Sequence, residues 1–270
     1  MNTLLHQLAG ESLHESLAKL ESRIRTQPGD ADLRAAFAQL LCLDGNWPRA
    51  LAQLKSWAAL KPQAQPTVTL LEQAISGEQQ RTEVMAGRVR PVTPDRQWPW
   101  LASMISALEA EPAEAGTLRE AALEVAEANP GQLTTQDGQT IAFDWLMDGD
   151  CRFGPVCEAI VNGRYFWLPF SAISAMQFQP PASVTDLVWR HTLVRLQDGS
   201  EQVCQIPVRY PLSHDAEDRF KLSRVTEWQT LPGDLSQYVG FGQKVWLNDS
   251  AEFSLLDLAT ISFNAEPMHE

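Results

Sequence analysis

Residues 148–170 read D-G-D-C-R-F-G-P-V-C-E-A-I-V-N-G-R-Y-F-W-L-P-F, and the hydrophobic period of the chain changes at this stretch. Upstream of it apolar residues recur at helical spacing, and downstream they alternate. At its centre Asn162-Gly163 separates two apolar runs, 156–161 and 165–168. Asn and Gly tolerate the positive φ angles of a two-residue type I′ turn, so the stretch predicts a β-hairpin. We expect this hairpin to be the first of a second domain.

The residues upstream of this stretch predict a series of amphipathic helices. Leu13, Leu17, Leu20 and Ile24 form one apolar stripe, ended by Pro28-Gly29. Further stripes lie at 33–41, 50–58, 68–85, 101–108 and 118–125, and Asp30 is a candidate N-cap for the second helix. The last helix begins either at a capping box formed by Thr117 and Glu120 or earlier, near Ala113. Residues 89–100 contain three prolines and are expected to form a loop.

The helical part has an internal spacing of 34 residues, from Pro28 to Pro62, which is the length of a tetratricopeptide repeat. Several residues between and beyond these prolines fit that repeat and several depart from it. Phe37, Ala38 and Ala50 fit, whereas Arg34, Ser16 and Val84 depart. A general stack of helical hairpins explains the pattern equally well. If repeat geometry is followed, the concave side carries Asp32, Ala35, Gln39 and Leu43, which are candidate partner-binding residues.

The second part of the chain predicts β-structure. Ile141, Phe143 and Trp145 alternate with more polar residues. Residues 187–196 form a second candidate hairpin, turned by Asp198-Gly199 into 202–208. Segments 240–247 and 253–263 flank a turn at 248–250 and make a third. The predicted fold is therefore α+β, with a tetratricopeptide-like helical domain at 1–130 and a mainly antiparallel β domain at 131–270.

The charge of the chain excludes some classes of partner. The net charge of −13 is spread evenly: residues 1–147 carry 18 acids and 12 bases, and residues 148–270 carry 16 acids and 9 bases. Neither half is a basic module, so nucleic acid and anionic lipid are not expected partners. A protein partner's contact segment should instead be basic.

The sequence predicts a cytoplasmic protein. No apolar run reaches the roughly 18–20 residues that cross a bilayer, so membrane insertion is not expected. The N-terminus also lacks the pattern of a secretory signal. Cys42, Cys151, Cys157 and Cys204 form no C-x-x-C pair. Without an export signal, reduced thiols are expected, although a bridge between Cys151 and Cys157 is conceivable.

No catalytic or metal-binding pattern in the sequence is complete. Gly240-Phe241-Gly242-Gln243 lacks the lysine of a phosphate loop, and these glycines are better explained as allowing close backbone approach. The five histidines are scattered, and Asp148 and Asp150 lack the later ligands of a calcium loop. The Ser213-His214-Asp215 run is consecutive, whereas a catalytic triad is assembled by convergence in space. We therefore expect no cofactor, no metal and no enzymatic activity.

Glu158 is the acidic residue with two competing interpretations. Next to an apolar strand its pKa could be raised, which would suit a general acid. A half-buried carboxylate more commonly serves in a structural ion pair, and Arg152, Arg209 or Arg224 are its expected partners. Asp186 is placed in the same class of structural ion pairs.

Six short segments of the second half combine aromatic residues with arginine or acidic residues. Arginine, tyrosine and tryptophan are frequent at binding hot spots, although core packing explains the same aromatics. The candidate partner-binding residues here are Tyr165, Trp167, Trp189, Arg209, Tyr210 and Trp228. The segments are G-P-x-x-E at 154–158, N-G-R-Y-F-W-L-P at 162–169, D-L-x-W at 186–189, P-V-R-Y-P at 207–211, R-F-K-L-S-R-V-T-E-W at 219–228 and G-F-G-Q at 240–243.

These six segments, in this order after a helical half, resemble the ImpE/TagJ (also SciE) family of type VI secretion accessory proteins. The resemblance implies a tetratricopeptide-like domain joined to a family-specific α+β domain, and a non-enzymatic cytoplasmic role. It also implies two protein partners: the small subunit of the contractile sheath, bound through its N-terminal segment, and the AAA+ ATPase that disassembles the sheath. Two alternatives remain at this point, an enzyme with a Glu/Arg site in the β domain and a structural component of the sheath or baseplate.

Overall fold

The computed structural model describes residues 10–231 and 234–264, without the side chains of residues 234 and 235. Most of the N-terminal segment that was searched for an export signal lies outside these ranges, as do His6 and His269. No helix of the described ranges is long and apolar enough to span a membrane.

The helical half follows the predicted stripes closely. Ser12 and Asp30 cap the first two helices through their side chains, and Gly45 ends the second in the left-handed conformation at φ 76°. The last long helix begins at Pro112, so the earlier of its two predicted starts is right. Each of the first three helices packs against the next, and the fifth packs against the sixth. The helices are α1 (Leu13–Thr26), α2 (Ala31–Asp44), α3 (Trp47–Leu60), α4 (Gln65–Met85), α5 (Pro99–Glu109), α6 (Pro112–Val125) and the short α7 (Asp218–Lys221).

The C-terminal half is built on an eight-stranded sheet of order β2-β1-β13-β6-β7-β8-β4-β5, in which every neighbouring pair is antiparallel. A three-stranded sheet (β12-β11-β3) and a two-stranded sheet (β10-β9) accompany it. The fold is therefore α+β, as predicted. The strands are β1 (Gly131–Thr135), β2 (Thr140–Phe143), β3 (Met147–Asp148), β4 (Val156–Val161), β5 (Arg164–Pro169), β6 (Ile173–Phe178), β7 (Trp189–Leu196), β8 (Glu201–Pro207), β9 (Thr226–Leu231), β10 (Asp234–Gly242), β11 (Val245–Leu247), β12 (Glu252–Ser254) and β13 (Leu258–Phe263).

Two of the three predicted hairpins are confirmed and the third needs correction. β4 and β5 pair across Asn162 (φ 49°) and Gly163 (φ 80°), and β7 pairs with β8 across the Asp198-Gly199 turn. In the third, β11 pairs with the short β12 and with β3, whereas β13 joins the large sheet. The apolar run 253–263 does not reveal this break. Trp145 also lies outside β2, which ends at Phe143.

A single hydrophobic cluster crosses from the helices into the sheet. Strand β4 is buried on both faces, which explains why all of its residues except Glu158 are apolar. Val156 and Ile160 belong to the cluster that contains the helical core, and Cys157 and Ala159 belong to a second cluster on the other face. The change from helix to strand falls between α6 and β1, close to the predicted boundary. That residues 1–130 and 131–270 form two separate domains remains a prediction.

The side of α2 near its C-terminus is occupied by the β half of the same chain. α2 packs against the 3₁₀-helix Val184–Leu187, and Trp47 lies beside Trp189 with ring centroids 5.8 Å apart. Leu43, one of the residues predicted to line a concave peptide-binding face, is fully buried. The contacts between helical hairpins and sheet therefore use part of the surface that a repeat protein would offer to a peptide. Repeat identity itself remains a prediction.

Candidate functional site: the buried junction of helices and sheet

A buried ion cluster joins the longest helix to the sheet. Arg81, on α4, forms a bidentate pair with Glu158, on β4, with Nε–Oε1 at 2.6 Å and Nη2–Oε2 at 2.8 Å. Lys244 contacts Glu158 Oε2 at 2.6 Å, and the hydroxyl of Tyr165 donates to Oε1 at 2.5 Å. All four side chains are buried. Glu158 is thus fully occupied by one helical residue and two residues of the β half.

The cluster continues through the D-G-D motif. Lys244 reaches Asp148 Oδ2 at 2.7 Å, and the Tyr210 hydroxyl donates to Asp148 Oδ1 at 3.0 Å. Asp150 accepts two hydrogen bonds from the Arg152 guanidinium and one, at 2.9 Å, from the backbone N–H of Gly240. The two acids that superficially suggested a calcium loop therefore hold lysine, arginine and backbone donors. Within the described residues no group of three or more His, Cys, Asp or Glu side chains could hold a metal ion.

The pKa values of the two central carboxylates, Glu158 and Asp148, are shifted in opposite directions. Burial raises the pKa of Glu158, but the positive charges of Arg81 and Lys244 outweigh it and lower the pKa to about 2. Burial also raises the pKa of Asp148, and because Lys244 only partly offsets it while Asp150 adds to it, the pKa is about 6. Burial favours the neutral form of Lys244, yet Asp148 and Glu158 raise its pKa above the ordinary value. Arg81 and Lys244 remain charged throughout the neutral range.

Arg209 ties three segments together without a carboxylate partner of its own. Its guanidinium donates to the carbonyl oxygens of Leu43 at 2.7 Å and Cys42 at 3.2 Å, in the last turn of α2, and to that of Lys221. Helix C-terminal carbonyls are partly negative and favour a cation. Burial lowers the pKa of Arg209 to about 10, so it stays protonated at neutral pH. Lys221 completes the contact by pairing with Asp44 at 2.8 Å.

A cavity of about 450 Å³ opens beside this junction. Its buried charged residues already have partners within the chain. Arg81 is engaged by Glu158, Arg209 by carbonyls and Lys221 by Asp44, while Glu78 accepts the indole N–H of Trp189 at 3.0 Å. The remaining wall includes Trp47, Met85 and Leu212. The cavity is therefore a space between two packed halves, and its buried charged side chains are already engaged by other groups of the chain.

The structure revises most of the predicted partner-binding set. Tyr165, Trp167, Trp189, Arg209 and Tyr210 are all buried within the chain, so core packing, the alternative explanation, describes them and they offer no surface to a partner in this conformation. Trp228 is half-buried and lies against Tyr210, with ring centroids 5.7 Å apart. On α2, Asp32 is exposed and pairs with Lys61, while Ala35 and Gln39 are half-buried.

The predicted ion-pair partners of Glu158 are wrong, and the reason is topological. Arg152 pairs with Asp150 instead, Arg209 caps α2, and Arg224 is exposed. Asp186 acts as a cap, accepting backbone N–H groups of Ala182 at 2.7 Å and Ser183 at 2.6 Å. The true partners, Arg81 and Lys244, lie on elements far from β4 in the sequence. The only sequence signal for the role of Arg81 was the presence of a charged residue in the buried stripe of α4.

Glycines allow the close approaches around the junction. A Cβ added to Gly240 would lie 2.2 Å from the ring of Tyr210, and one added to Gly149 would lie 2.5 Å from that of Trp228. Gly242, at φ 83°, approaches the carbonyl oxygen of Val225. The explanation of the G-F-G-Q segment by close approach therefore holds, although at Gly240 the neighbour is an aromatic ring.

A helical-hairpin half locked to an antiparallel sheet by buried charges defines the class of protein, and comparison with known proteins gives the family. A family model described as ImpE protein matches residues 140–262. The type VI secretion system accessory component TagJ of Pseudomonas aeruginosa is 37% identical over 256 residues, an alignment that covers 93% of this chain and 87% of TagJ. The crystal structure of protein VPA1032 from Vibrio parahaemolyticus matches with a TM-score of 0.85 at 26% identity, covering 97% of this chain and 98% of that one.

The chain therefore belongs to the ImpE family. The family model covers the segments that build the junction, apart from Arg81 and the other helical contributions. Four of the six sequence signatures that resemble the family supply side chains whose hydrogen bonds join the two halves, namely Glu158, Trp189, Arg209 and Lys221. The Tyr165 hydroxyl and the backbone N–H of Gly240 make hydrogen bonds within the β half.

Proposed function

We propose that this protein is a non-enzymatic accessory component of a type VI secretion system that acts by binding other proteins. The observation that carries the proposal is its 37% identity, over nearly its whole length, to a protein named as such a component. The arrangement of charges is consistent with it. The most unusual polar residues of the chain are used in structural ion pairs and do not converge on an open reaction site.

At finer detail, the protein is an adaptor that binds the small subunit of the contractile sheath through that subunit's N-terminal segment and links it to the AAA+ ATPase that disassembles the sheath. The net charge of −13 favours a basic contact segment on the partner. Since the aromatic residues of the junction are buried, the contact surface for this segment is on the outside of the helices or sheet.

The environment of Glu158 argues against the enzyme alternative. Glu158 would need to exchange a proton with a substrate, but it is enclosed by Arg81, Lys244 and Tyr165 and its pKa is lowered to about 2. A carboxylate in that state is a poor general acid at neutral pH. No other described residue was a candidate for this role.

A binding experiment with purified components tests the adaptor proposal. The full-length protein is titrated with the purified small sheath subunit and with the same subunit lacking its N-terminal segment, and the ATPase is then added to the complex. Binding only to the intact subunit, and recruitment of the ATPase only when the protein is present, support the adaptor. Equal binding of the truncated subunit contradicts it, and stable stoichiometric incorporation into assembled sheaths identifies a structural component instead.

A further inference from the structure

The two edges of the large sheet differ in how they end. At one edge β5 is covered by the chain itself, since the backbone N–H of Val92 donates to Tyr165 O at 3.1 Å and the N–H of Trp167 donates to Val92 O at 2.9 Å. At the other edge is β2, which pairs only with β1. In the described part of the chain no backbone group reaches the outer side of β2.

The register of the hairpin identifies which groups point outward. The N–H of Thr135 donates to Gln139 O at 2.9 Å, so these residues form a hydrogen-bonded pair. In an antiparallel ladder such pairs alternate with non-bonded pairs. Ile141, opposite Leu133, therefore bonds to β1. The N–H and C=O groups of Thr140 and Ala142, both exposed residues, point to the open edge.

β2 is a short edge strand of four residues, and shortness is one protection of an edge. It lacks the other usual protections, which are proline, lysine, bulges and covering segments. The sequence of β2 is T-I-A-F, without proline or charge, and its pairing with β1 has a regular register. An unprotected edge is a template to which a further strand can add.

The charge around this edge selects the partner. From residue 120 to residue 151 the chain contains no lysine or arginine and seven acidic residues, of which Asp148 and Asp150 are buried and paired with Lys244 and Arg152. Two of the acids, Asp137 and Asp144, are exposed and flank β2 at its two ends. An incoming strand with basic side chains would be attracted, and one with acidic side chains repelled.

We propose that the outer edge of β2 is a docking site for an extended, basic segment of a partner protein, which adds to the sheet as a ninth strand. The backbone groups of Thr140 and Ala142 supply the hydrogen bonds, and Asp137 and Asp144 supply the charge selection. A second copy of this chain is the less favourable occupant, because its own β2 would bring the same acids into apposition.

A labelled eight-residue peptide that alternates lysine and valine is the probe, titrated into the full-length protein by fluorescence anisotropy. Ala142→Pro removes an outward N–H that no described strand uses, a change that edge strands tolerate. We expect it to weaken binding about tenfold or more, as loss of backbone hydrogen bonds at the edge implies. Asp144→Lys, a surface substitution, should weaken binding as well.

The matched control is Thr230→Pro on β9, the free edge of the two-stranded sheet. There Gln243 N–H donates to Val225 O, so by alternation the backbone of Thr230 also points outward. This variant should bind the peptide like the wild type. A peptide N-methylated at alternate residues along its bonding edge, and a glutamate–valine peptide, should bind about tenfold or more weakly.

Three results would overturn the docking site. The first is that both Ala142→Pro and Asp144→Lys bind the lysine–valine peptide with the affinity of the wild type. The second is that the N-methylated peptide binds as tightly as the unmethylated one. The third is a concentration-dependent dimer of the protein alone that Ala142→Pro abolishes, because the occupant would then be a second copy. None of these measurements uses a sheath subunit, so they can fail or succeed independently of the adaptor role.

Discussion

Gly77 on α4 and Ile160 on β4 are in such close contact that a side chain on Gly77 has no room. A Cβ built there would lie 2.5 Å from Ile160 Cγ2 and 2.6 Å from Cγ1. Both atoms belong to a buried side chain of the shared core, one turn from the Arg81–Glu158 pair. At this point the helix backbone itself is packed on the sheet.

Gly77→Ala should therefore destabilise the protein. In an exposed helix interior the same change stabilises by about 1 kcal/mol, because alanine is the better helix former. Here the added methyl overpacks a core contact, which typically costs about 1–3 kcal/mol, so the net effect should be a loss. Urea unfolding measures it.

The double variant with Ile160→Ala provides the control. Since that change removes the three atoms in the way, the cost of Gly77→Ala should fall by more than half in its presence. Simple additivity of the two costs would show that the contact is not the cause.

Arg81→Met should cost about 3–5 kcal/mol of stability. It leaves Glu158 with Lys244 as its only cation, and removing one partner of a buried pair exposes the other to the full cost of desolvation. Arg88→Met is the matched control, because Arg88 forms an equally short pair with Glu83 that is exposed to solvent. Thermal or urea unfolding should show little change in that variant. Similar losses in both variants would contradict a special role for the buried pair.

Asp148 and Glu158 should give the stability opposite slopes with pH. Asp148 keeps its proton to about pH 6 in the native state but titrates at an ordinary value of about 4 when unfolded. Between these values the native state binds more protons, so stability falls as pH rises from about 4 to 6, by up to ~3 kcal/mol. Glu158, lowered to about 2, contributes stability that is present above pH ~4 and lost as pH falls toward 2.

Urea unfolding of the wild type and Asp148→Asn between pH 4 and 7 separates these contributions. Asparagine does not titrate, so the stability of the wild type should decline relative to that of the variant as pH rises toward 6. Parallel profiles of the two proteins over this range would rule out a raised pKa for Asp148.

The thiols should differ sharply in reactivity. All four cysteines are reduced, and Cys42, Cys157 and Cys204 are buried while Cys151 is half-buried. Burial raises the pKa of Cys42 and of Cys204 to about 12, so their thiolate fraction at neutral pH is negligible. A disulfide-exchange reagent should titrate one thiol rapidly in the native protein and the others only on unfolding. In Cys151→Ser the rapid phase should vanish; its persistence would mean that another thiol opens to solvent.

The local elements were predictable because their signals are local. Asp30, Gly45 and Asn162-Gly163 fix helix ends and a turn through interactions within a few residues. The helical stripes and the strand β4 follow from the period of apolar residues. The strands β1, β6 and β9 were missed, because the burial of β6 does not alternate strictly and β1 and β9 bury at most one residue each.

The site was not predictable from sequence spacing. Glu158 was expected to pair within the β half, whereas its bidentate partner lies 77 positions earlier on α4. The composition of Tyr165, Trp167 and Tyr210 fits a binding surface and a core equally well, and only the packing of helices on the sheet decides between them. Pairing between distant elements is set by tertiary topology, which residue periodicity does not encode.

The placement of Lys244 has a consequence for synthesis of the chain. Helix α4 leaves the ribosome first with Arg81, β4 follows with Glu158, and Lys244, the second cation of the cluster, is made last of the three. Until Lys244 is made, the carboxylates of Asp148 and Glu158 lack one of their cationic partners in the part of the core that must close. Closure of the core around Glu158 therefore waits for the segment that carries Lys244, and a truncation just before Lys244 should leave an incompletely folded chain.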